Sequence, residues 1–235
     1  RAITNDGTYL YIAGEDAPFN WRIEKRLMSD GSLVNTFDGD GVVDGVTASQ
    51  IAYAITNDGT YLYIAGYDSS NNWRIEKRLM SDGSLVNTFD GDGVVDGVTA
   101  SNVARAITHD DTHLYIAGYD DSGNWRIEKR LMSDGSLVTT FDGDGVVDGV
   151  TASAIAYAIT NDGTYLYIAG YGSFNWRIEK RAMDDGALVS EGVFVFADNA
   201  STTGLTIEEG ATVIAPSSLT IAGNYTNNGT VLGST

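Results

Sequence analysis

Three aspartates recur at a fixed spacing in an acidic, glycine-rich stretch that occurs three times in the sequence. The first copy reads Asp38-Gly-Asp40-Gly-Val-Val-Asp44, and closely spaced carboxylates offer the hard oxygen ligands that Ca²⁺ prefers. Calcium is therefore the candidate cofactor. The alternative is that each stretch forms a pair of Asp-Gly turns, in which glycine supplies a positive φ and no metal binds. The candidate metal ligands are Asp38, Asp40, Asp44, Asp90, Asp92, Asp96, Asp142, Asp144 and Asp148.

A second set of candidate residues lies where the copies of the repeated sequence differ. The differences concentrate in the loop before each Trp and at two further positions, one that holds Gln50, Asn102 or Ala154 and one that holds Tyr53, Arg105 or Tyr157. Variable loops on a constant scaffold are typical of binding surfaces, and exposed aromatic rings suit stacking on sugars or docking to a protein. The alternative is that exposed loops simply tolerate change. The candidate ligand-binding residues are Phe19, Tyr67, Tyr119, Arg105, Tyr171 and Phe174.

Catalytic motifs are absent from the sequence, so we predict that the protein is not an enzyme. His109 and His113 occur only in the third copy, which leaves three copies without a histidine for a Ser-His-Asp set. No glycine-rich phosphate loop precedes a helix. The duplicated carboxylates indicate turn chemistry and not a unique acid–base pair. No catalytic residue is assigned.

Twelve of the 14 cationic residues lie in four copies of the segment Trp-Arg-Ile-Glu-Lys-Arg. A ring of these cations could bind acidic glycans or sulfate, but we favour a structural role in which Arg and Glu alternate on a solvated face and pair across strands. The lysine of each copy shares the Trp/Ile side, so its burial would require a carboxylate partner such as a turn Asp. These lysines are Lys25, Lys77, Lys129 and Lys180.

Composition excludes several classes of function. The chain has 235 residues and a net charge of −18, which argues against binding to nucleic acid or to anionic membrane surfaces. No apolar run approaches the roughly 20 residues that cross a bilayer, so we expect no membrane insertion. The sequence has no Cys and therefore no disulfide framework.

The candidate residues are positioned by a repeat of 52 residues, which occurs four times. The string Ala-Ile-Thr-Asn-Asp-Gly-Thr-Tyr-Leu-Tyr-Ile-Ala-Gly begins at Ala2 and returns, with small changes, at Ala54, Ala106 and Ala158. Apolar residues alternate with period two and glycine turns separate the runs, which predicts four short strands in each repeat. We predict an all-β fold of four-stranded β-propeller blades over residues 1–189, with a β-solenoid as the alternative. A solenoid would stack the repeated arginines in a like-charge ladder about 5 Å apart, which is destabilising.

Composition changes after the repeats, and residues 182–235 contain no Lys or Arg. Short strands are predicted at 193–197, 205–208, 212–215, 219–222 and 230–232, because apolar residues alternate with Thr between Gly, Asn and Pro. We predict that residues 190–235 form a second β-rich segment, as a stalk, a coil of a β-helix or strands that pair with another subunit. Such a segment buries little by itself and must pack on something else.

The repeat resembles known bacterial propeller repeats of the SBBP and delta-sixty types. The resemblance covers residues 1–190 approximately. It rests on the order Ala-Ile-x-x-Asp-Gly, Tyr-Ile-Ala-Gly-Tyr, Trp-x-Ile-x-Lys, Asp-Gly-Ser-Leu and Phe-Asp-Gly-Asp-Gly-Val-Val. It implies a β-propeller of a secreted or surface-exposed bacterial protein. The acidic stretch resembles the latter part of calcium loops in some propellers, although their leading acid is replaced by Thr36, Thr88 and Thr140. The segment Ser-Leu-Thr-Ile-Ala-Gly-Asn-Tyr-Thr-Asn-Asn-Gly-Thr-Val resembles stalk segments of bacterial surface proteins.

Three hypotheses of function follow. In the first, the chain is a non-enzymatic extracellular module at the bacterial cell surface, and its variable loop face binds a glycan or a protein. In the second, it is a structural subunit of an extracellular filament or surface layer, and its C-terminal strands pair with copies of itself. In the third, which we favour least, it is a propeller enzyme that acts on glycans in the axial pocket.

Overall fold

A computed structural model describes residues 1–17, 19–48, 50–96, 103–149, 154–172 and 175–189. It also gives the backbone of seven short strands between residues 193 and 233. All regular structure in this part of the chain is β-strand, so the predicted all-β class is confirmed. The described residues include no helix that is long and apolar enough to span a membrane.

Each repeat forms its own antiparallel sheet, with the strands in chain order. The first sheet has β1 (Ala2–Asn5), β2 (Tyr9–Asp16), β3 (Asn20–Leu27) and β4 (Val42–Ala48), and the second has β5 (Ile51–Asn57), β6 (Tyr61–Tyr67), β7 (Trp73–Leu79) and β8 (Val94–Asp96). The third sheet has β9 (Val103–His109), β10 (His113–Tyr119), β11 (Trp125–Leu131) and β12 (Val146–Asp148). The fourth has β13 (Ala154–Asn161), β14 (Tyr165–Gly172) and β15 (Asn175–Ala182).

Asp-Gly turns set the register of the first hairpin in each sheet. The Asp58 carboxylate accepts hydrogen bonds from the backbone N–H groups of Thr60 and Tyr61, at 2.8 and 2.7 Å. Gly59 follows with a φ of 88°, a conformation that glycine adopts without steric cost. The turn therefore fixes where β5 ends and β6 begins, and the same Asp-Gly sequence closes the hairpin in the first and fourth sheets.

The third strand of the second sheet is buried on both faces, which corrects the expectation that its Arg and Glu side chains face solvent. Glu76 is fully buried, and Arg74 and Arg78 on the same side of β7 are only 8% and 6% exposed. The two guanidinium groups flank the carboxylate, with N–O distances of 2.7 and 2.6 Å. Paired hydrogen bonds of this kind offset the large cost of burying three charges. In β7 the pairing is along one strand, whereas Arg22 and Arg126 of the first and third sheets also pair across strands, with Asp44 and Asp148.

The lysine on the other side of this strand contacts the following repeat. Lys77 Nζ donates a hydrogen bond of 2.7 Å to the backbone oxygen of Met132 and lies 4.3 Å from the Tyr61 ring centroid. Burial lowers the pKa of Lys77. The prediction of a carboxylate partner is therefore wrong for the direct contact. A backbone carbonyl accepts the lysine hydrogen bond instead. Lys25 and Lys129 make the equivalent bonds to Met80 and Met183.

Consecutive sheets pack face to face through a tryptophan. Trp73 is fully buried between the second and third sheets, and its indole Nε1 donates to the Tyr119 carbonyl at 3.1 Å. A Cβ added at Gly118 would meet the Trp73 ring at 3.0 Å, and the Arg126 guanidinium lies 5.8 Å from the ring centroid. We call the space between Gly118 and Arg126, and its equivalent in the other repeats, the tryptophan slot. Trp125 is buried in the same way and donates to the Tyr171 carbonyl, whereas Trp21 is equally buried but its Nε1 has no hydrogen-bond partner among the described residues.

The C-terminal strands pair in parallel, unlike those of the repeats. Two ladders run β16 (Val193–Val195) to β19 (Thr212–Ala215) to β22 (Thr230–Gly233), and β17 (Ala200–Thr202) to β20 (Leu219–Ile221). A third runs from β15 through β18 (Leu205–Ile207) to β21 (Tyr225–Asn227). The chain thus returns to the same three ladders, as a coil does. The five predicted strands are present, whereas β17 and β21 were not predicted.

The buried tryptophan predicts unequal effects for the same substitution in two repeats. We expect Trp73→Ala to lower the free energy of unfolding by about 3–5 kcal/mol, because it empties a filled slot. Trp176→Ala is the matched control, because Trp176 is 56% exposed, and we expect a loss below about 1 kcal/mol. Urea unfolding in dilute solution measures both values. Equal losses would contradict the packing described here.

Candidate functional site

Tyrosine and arginine side chains from three repeats meet beside the first and second strands of the sheets. The 52-residue spacing aligns Tyr53, Arg105 and Tyr157 on the first strands. The second strands contribute three tyrosines at their ends. We call this set the tyrosine–arginine cluster, which consists of Tyr53, Tyr67, Arg105, Tyr119, Tyr157 and Tyr171.

A β-bulge presents the first-strand residue of each copy. The pairing of β9 with β10 shifts register so that Ala104 and Ala106 have partners while Arg105 lies between them. The same shift surrounds Tyr53 and Tyr157. Bulges re-aim side chains and are common next to functional sites. The sequence therefore directs the variable side chain out of the ladder.

Glycine in the second strand makes this bulge possible. A Cβ added at Gly118 would lie 2.0 Å from the backbone oxygen of Val103, which is too close for any side chain. Gly66 and Gly170 approach the backbone of the first strand just as closely, at 1.9 and 2.0 Å. Glycine is therefore required at these positions by close backbone approach.

The cluster holds the Arg105 guanidinium among three aromatic rings. Its central carbon lies 4.2 Å from the Tyr53 ring centroid and 5.8 Å from the centroids of Tyr119 and Tyr157. Tyr67 packs on Tyr53 with ring centroids 5.9 Å apart. Cation–π contacts at these distances hold a guanidinium without neutralising its charge.

Arg105 differs from the other arginines in its lack of an acidic partner. Within the described residues every other arginine forms an ion pair with a carboxylate, whereas Arg105 forms none. Its Nε is buried without a hydrogen-bond partner. Arg1 occupies the equivalent position in the first repeat, and Glu15 neutralises it through two hydrogen bonds of 2.6 and 2.5 Å. The cluster therefore carries one unpaired positive charge in a chain of net charge −18.

The tyrosine hydroxyls add neutral hydrogen-bonding groups around this charge. Burial raises the pKa of Tyr67 and of Tyr157, so both phenols stay protonated at neutral pH. Tyr157 is 51% exposed. The cluster thus combines ring faces, O–H groups and one guanidinium, a set that can contact a ring-shaped polar ligand with an acidic substituent.

Four of the six predicted ligand-binding residues belong to this cluster, namely Tyr67, Tyr119, Arg105 and Tyr171. Phe19 is 61% exposed in the loop after β2 with a φ of 82°, and it has no ring contact with the cluster. Phe174 lies outside the described residues. Tyr53 and Tyr157 were missed, although their equivalence to Arg105 was visible in the repeat.

The candidate calcium aspartates have different hydrogen-bond and ion-pair partners. Asp92 Oδ1 accepts the Val94 N–H at 2.9 Å, which is the Asp-Gly turn alternative, and Asp40 and Asp144 do the same at 2.8 Å. Asp38, Asp90 and Asp142 lie at the start of the turn with φ of 51–53°. Asp44 and Asp148 pair with Arg22 and Arg126. Burial raises the pKa of Asp96 and Asp148.

These aspartates do not fit a shared ion. Within the described residues no group of three His, Cys, Asp or Glu side chains is arranged to hold a metal. Side chains that cap their own turns and pair with arginine leave few oxygens for the six to eight that calcium takes. The geometry therefore favours the turn alternative over a calcium site.

The two histidines of the third repeat have structural partners. His109 Nε2 lies 3.0 Å from the backbone oxygen of Asn57, and Asn161 makes the equivalent contact from its amide nitrogen to the His109 oxygen at 3.1 Å. His109 therefore takes the place of Asn in a bond between repeats. His113 Nδ1 lies 3.2 Å from the Asp110 carboxylate. Although burial alone would raise it, hydrogen bonds from Thr112, His113 and Tyr115 lower the pKa of Asp110 to about 2.

The sequence matches no family model and no curated protein. The resemblance to bacterial propeller repeats therefore remains a prediction that rests on the motifs themselves.

The calcium hypothesis has a direct test. We expect no binding heat when Ca²⁺ is titrated into chelator-treated protein, and no rise in melting temperature, because the aspartates already bond within their own turns. Calorimetry and thermal unfolding measure these two quantities. Heat that disappears in Asp92→Asn but not in Asp162→Asn, an aspartate of the fourth repeat, which lacks the acidic stretch, would instead establish a calcium site.

Proposed function

We propose that this chain is a non-enzymatic extracellular module of a bacterial surface protein, which binds an acidic glycan through the tyrosine–arginine cluster. Its four repeat sheets are the blades of a β-propeller. The cell-surface location rests on the resemblance of the repeats to secreted and surface-exposed bacterial proteins. The binding role rests on the geometry of the cluster.

The observation that carries this proposal is the unpaired Arg105. A guanidinium packed among three tyrosine rings keeps its charge and its planar set of N–H donors, which match a carboxylate or sulfate group. The remaining described arginines already have carboxylate partners. Arg105 is therefore the arginine with which an external anion forms the most favourable ion pair.

The tyrosines supply the rest of the recognition. Tyr53 and Tyr157 flank the guanidinium, and Tyr157 also packs on Tyr171 with ring centroids 5.7 Å apart. Aromatic rings stack on the apolar faces of sugars, and their hydroxyls bond sugar hydroxyls. An acidic sugar can stack on the rings and form an ion pair with the Arg105 guanidinium, whereas a neutral sugar leaves the guanidinium unpaired.

Two features of the sheets support propeller blades over a solenoid. The ladders of the four repeats run within a repeat and are antiparallel, whereas solenoid ladders run between coils. In addition, the first strands of successive sheets, β1, β5, β9 and β13, are neighbours in series. The innermost strands of blades around an axis have this arrangement.

Binding of defined oligosaccharides tests the acidic-glycan proposal. We expect oligogalacturonate or a sulfated oligosaccharide to bind, and Arg105→Ala to weaken that binding by about tenfold to a hundredfold, because a charge-assisted hydrogen bond contributes about 1.5–3 kcal/mol. Tyr119→Ala should also weaken it. Calorimetry at low and high salt measures the affinity, and salt should reduce it.

Arg26→Ala is the control for Arg105→Ala. Arg26 pairs with Glu24 on β3 of the first sheet, so its loss should leave the affinity within about twofold of the wild type. Equal binding of neutral and acidic oligosaccharides, or equal losses in the two variants, would contradict the assignment of Arg105.

A second candidate function is supported by the parallel C-terminal ladders. The chain is then a structural subunit of an extracellular filament or surface layer, which grows as strands of one copy extend the ladders of another. Within the described strands, β22 has a partner only on the β19 side. Strand edges of this kind are sites for pairing with another chain.

Removal of these ladders tests the filament function. We expect polymers to vanish when residues 190–235 are deleted, and to be reduced by Val231→Pro in the full-length chain, because proline removes an N–H donor from β22. Electron microscopy measures polymer formation, and circular dichroism checks that the repeat sheets stay folded. Polymers that persist in both variants would exclude polymerisation through the C-terminal ladders.

A further inference from the structure

The first sheet exposes a face that is buried in the other sheets. We call the side of a sheet that packs on the preceding repeat its leading face, and the opposite side its trailing face. On the leading face of the first sheet Ile3 and Met28 are 60% and 48% exposed. Their equivalents on the second sheet, Ile55 and Met80, are 8% and 5% exposed because the first sheet covers them.

The fourth sheet exposes the complementary face. Trp176 on its trailing face is 56% exposed, whereas Trp21, Trp73 and Trp125 are at most 1% exposed in their tryptophan slots. The chain therefore carries a tryptophan without a slot at one end of the series of sheets.

The other end carries a slot without a tryptophan. An open groove of about 380 Å³ on the first sheet is lined by Gly14 and Arg22, the equivalents of Gly118 and Arg126. Arg22 already pairs with Glu24, as Arg126 does with Glu128, so the arginine side of the groove resembles that of a filled slot. The glycine side is more open, because a Cβ at Gly14 would meet the Arg1 nitrogen at 3.4 Å, whereas a Cβ at Gly118 would meet the Val103 oxygen at 2.0 Å. The other lining residues are Arg1, Ile12, Ala13, Glu15 and Glu24.

We propose that this chain associates head to tail with a second copy of itself, so that Trp176 of one copy fills the groove at Gly14 of the next. Lys180 then donates to the Met28 carbonyl, as Lys129 donates to that of Met183 within one chain. The partner is a second copy because the two faces are complementary. The same contact also occurs three times inside the chain, around Trp21, Trp73 and Trp125.

The geometry of this contact sets the kind of assembly. A leading face that meets a trailing face is a heterologous interface, which gives a ring if the rotation closes and an open fibre if it does not. The fourth repeat lacks the equivalent of Phe141, so the contact between copies is smaller than those within the chain. Each copy carries a charge of −18, and added salt should therefore strengthen association by screening the repulsion.

Sedimentation of one variant on each face tests the proposal. We expect the mass of the wild type to rise with protein concentration and with salt. Trp176→Ala lacks the indole, and Gly14→Leu fills the groove at a position where a Cβ would meet only Arg1 at 3.4 Å. Each variant alone should stay monomeric, and an equimolar mixture should form dimers and nothing larger, since each variant keeps one intact face.

Three outcomes would overturn this inference. They are a wild type that stays monomeric at every concentration, single variants that associate as the wild type does, and a mixture that stays monomeric. A monomer whose Trp176 fluorescence is protected from a soluble quencher would also overturn it, because the trailing face is then covered within one chain. Phe19→Ala is the control for removal of an exposed aromatic ring and should associate normally, because Phe19 lies in the loop between β2 and β3. This inference is independent of glycan binding.

Discussion

The fit of a tryptophan into the slot of the following repeat is the contact on which the rest of the described structure depends. The indole of Trp73 requires glycine at position 118, because any side chain there would meet both the ring and the backbone of Val103. It also requires Arg126 above it, and Glu128 holds that arginine in place. One large apolar ring thus explains both the glycine and the buried ion pairs.

Because such contacts link neighbouring repeats, stability is distributed in one dimension along the chain. Each inner sheet is supported on two faces, and each end sheet on one, as the exposures of Met28 and Trp176 show. In proteins of this type stability is approximately a sum of the stabilities of the repeats and of nearest-neighbour terms. Within the described structure, the second and third sheets, which are packed on both faces, should therefore be the last to open.

Local patterns predicted the strands better than they predicted the environment of the strands. Period-two alternation and Asp-Gly turns identified the hairpins around Asp58-Gly59, because both signals lie within a few residues of sequence. The burial of Glu76 and the acceptor of Lys77 were not predicted, because each depends on the neighbouring sheet that covers the strand. The same limit applies to the parallel pairing of β15 with β18, since no local signal specifies a partner 29 residues away.

The candidate site shows the same division between local and distant information. Copy-to-copy variation singled out Arg105 and three of the tyrosines, but it could not show that Phe19 lies apart from them. The bulge at Arg105 comes from two strands that approach closely at Gly118, a relation that the repeat spacing does not reveal. The pairing and packing of the strands, and not the residue types, determine which candidate ligand-binding residues lie together.

The bulge also allows the side chain at the candidate site to vary with little effect on the stability of the fold. Because glycine and backbone on the facing strand hold the bulge, the bulged side chain contributes little to keeping it in place. The equivalent positions accept arginine or tyrosine while the strand pairing around Tyr53, Arg105 and Tyr157 stays the same. Selection can thus exchange one side chain in a single copy, while the scaffold around it is inherited unchanged.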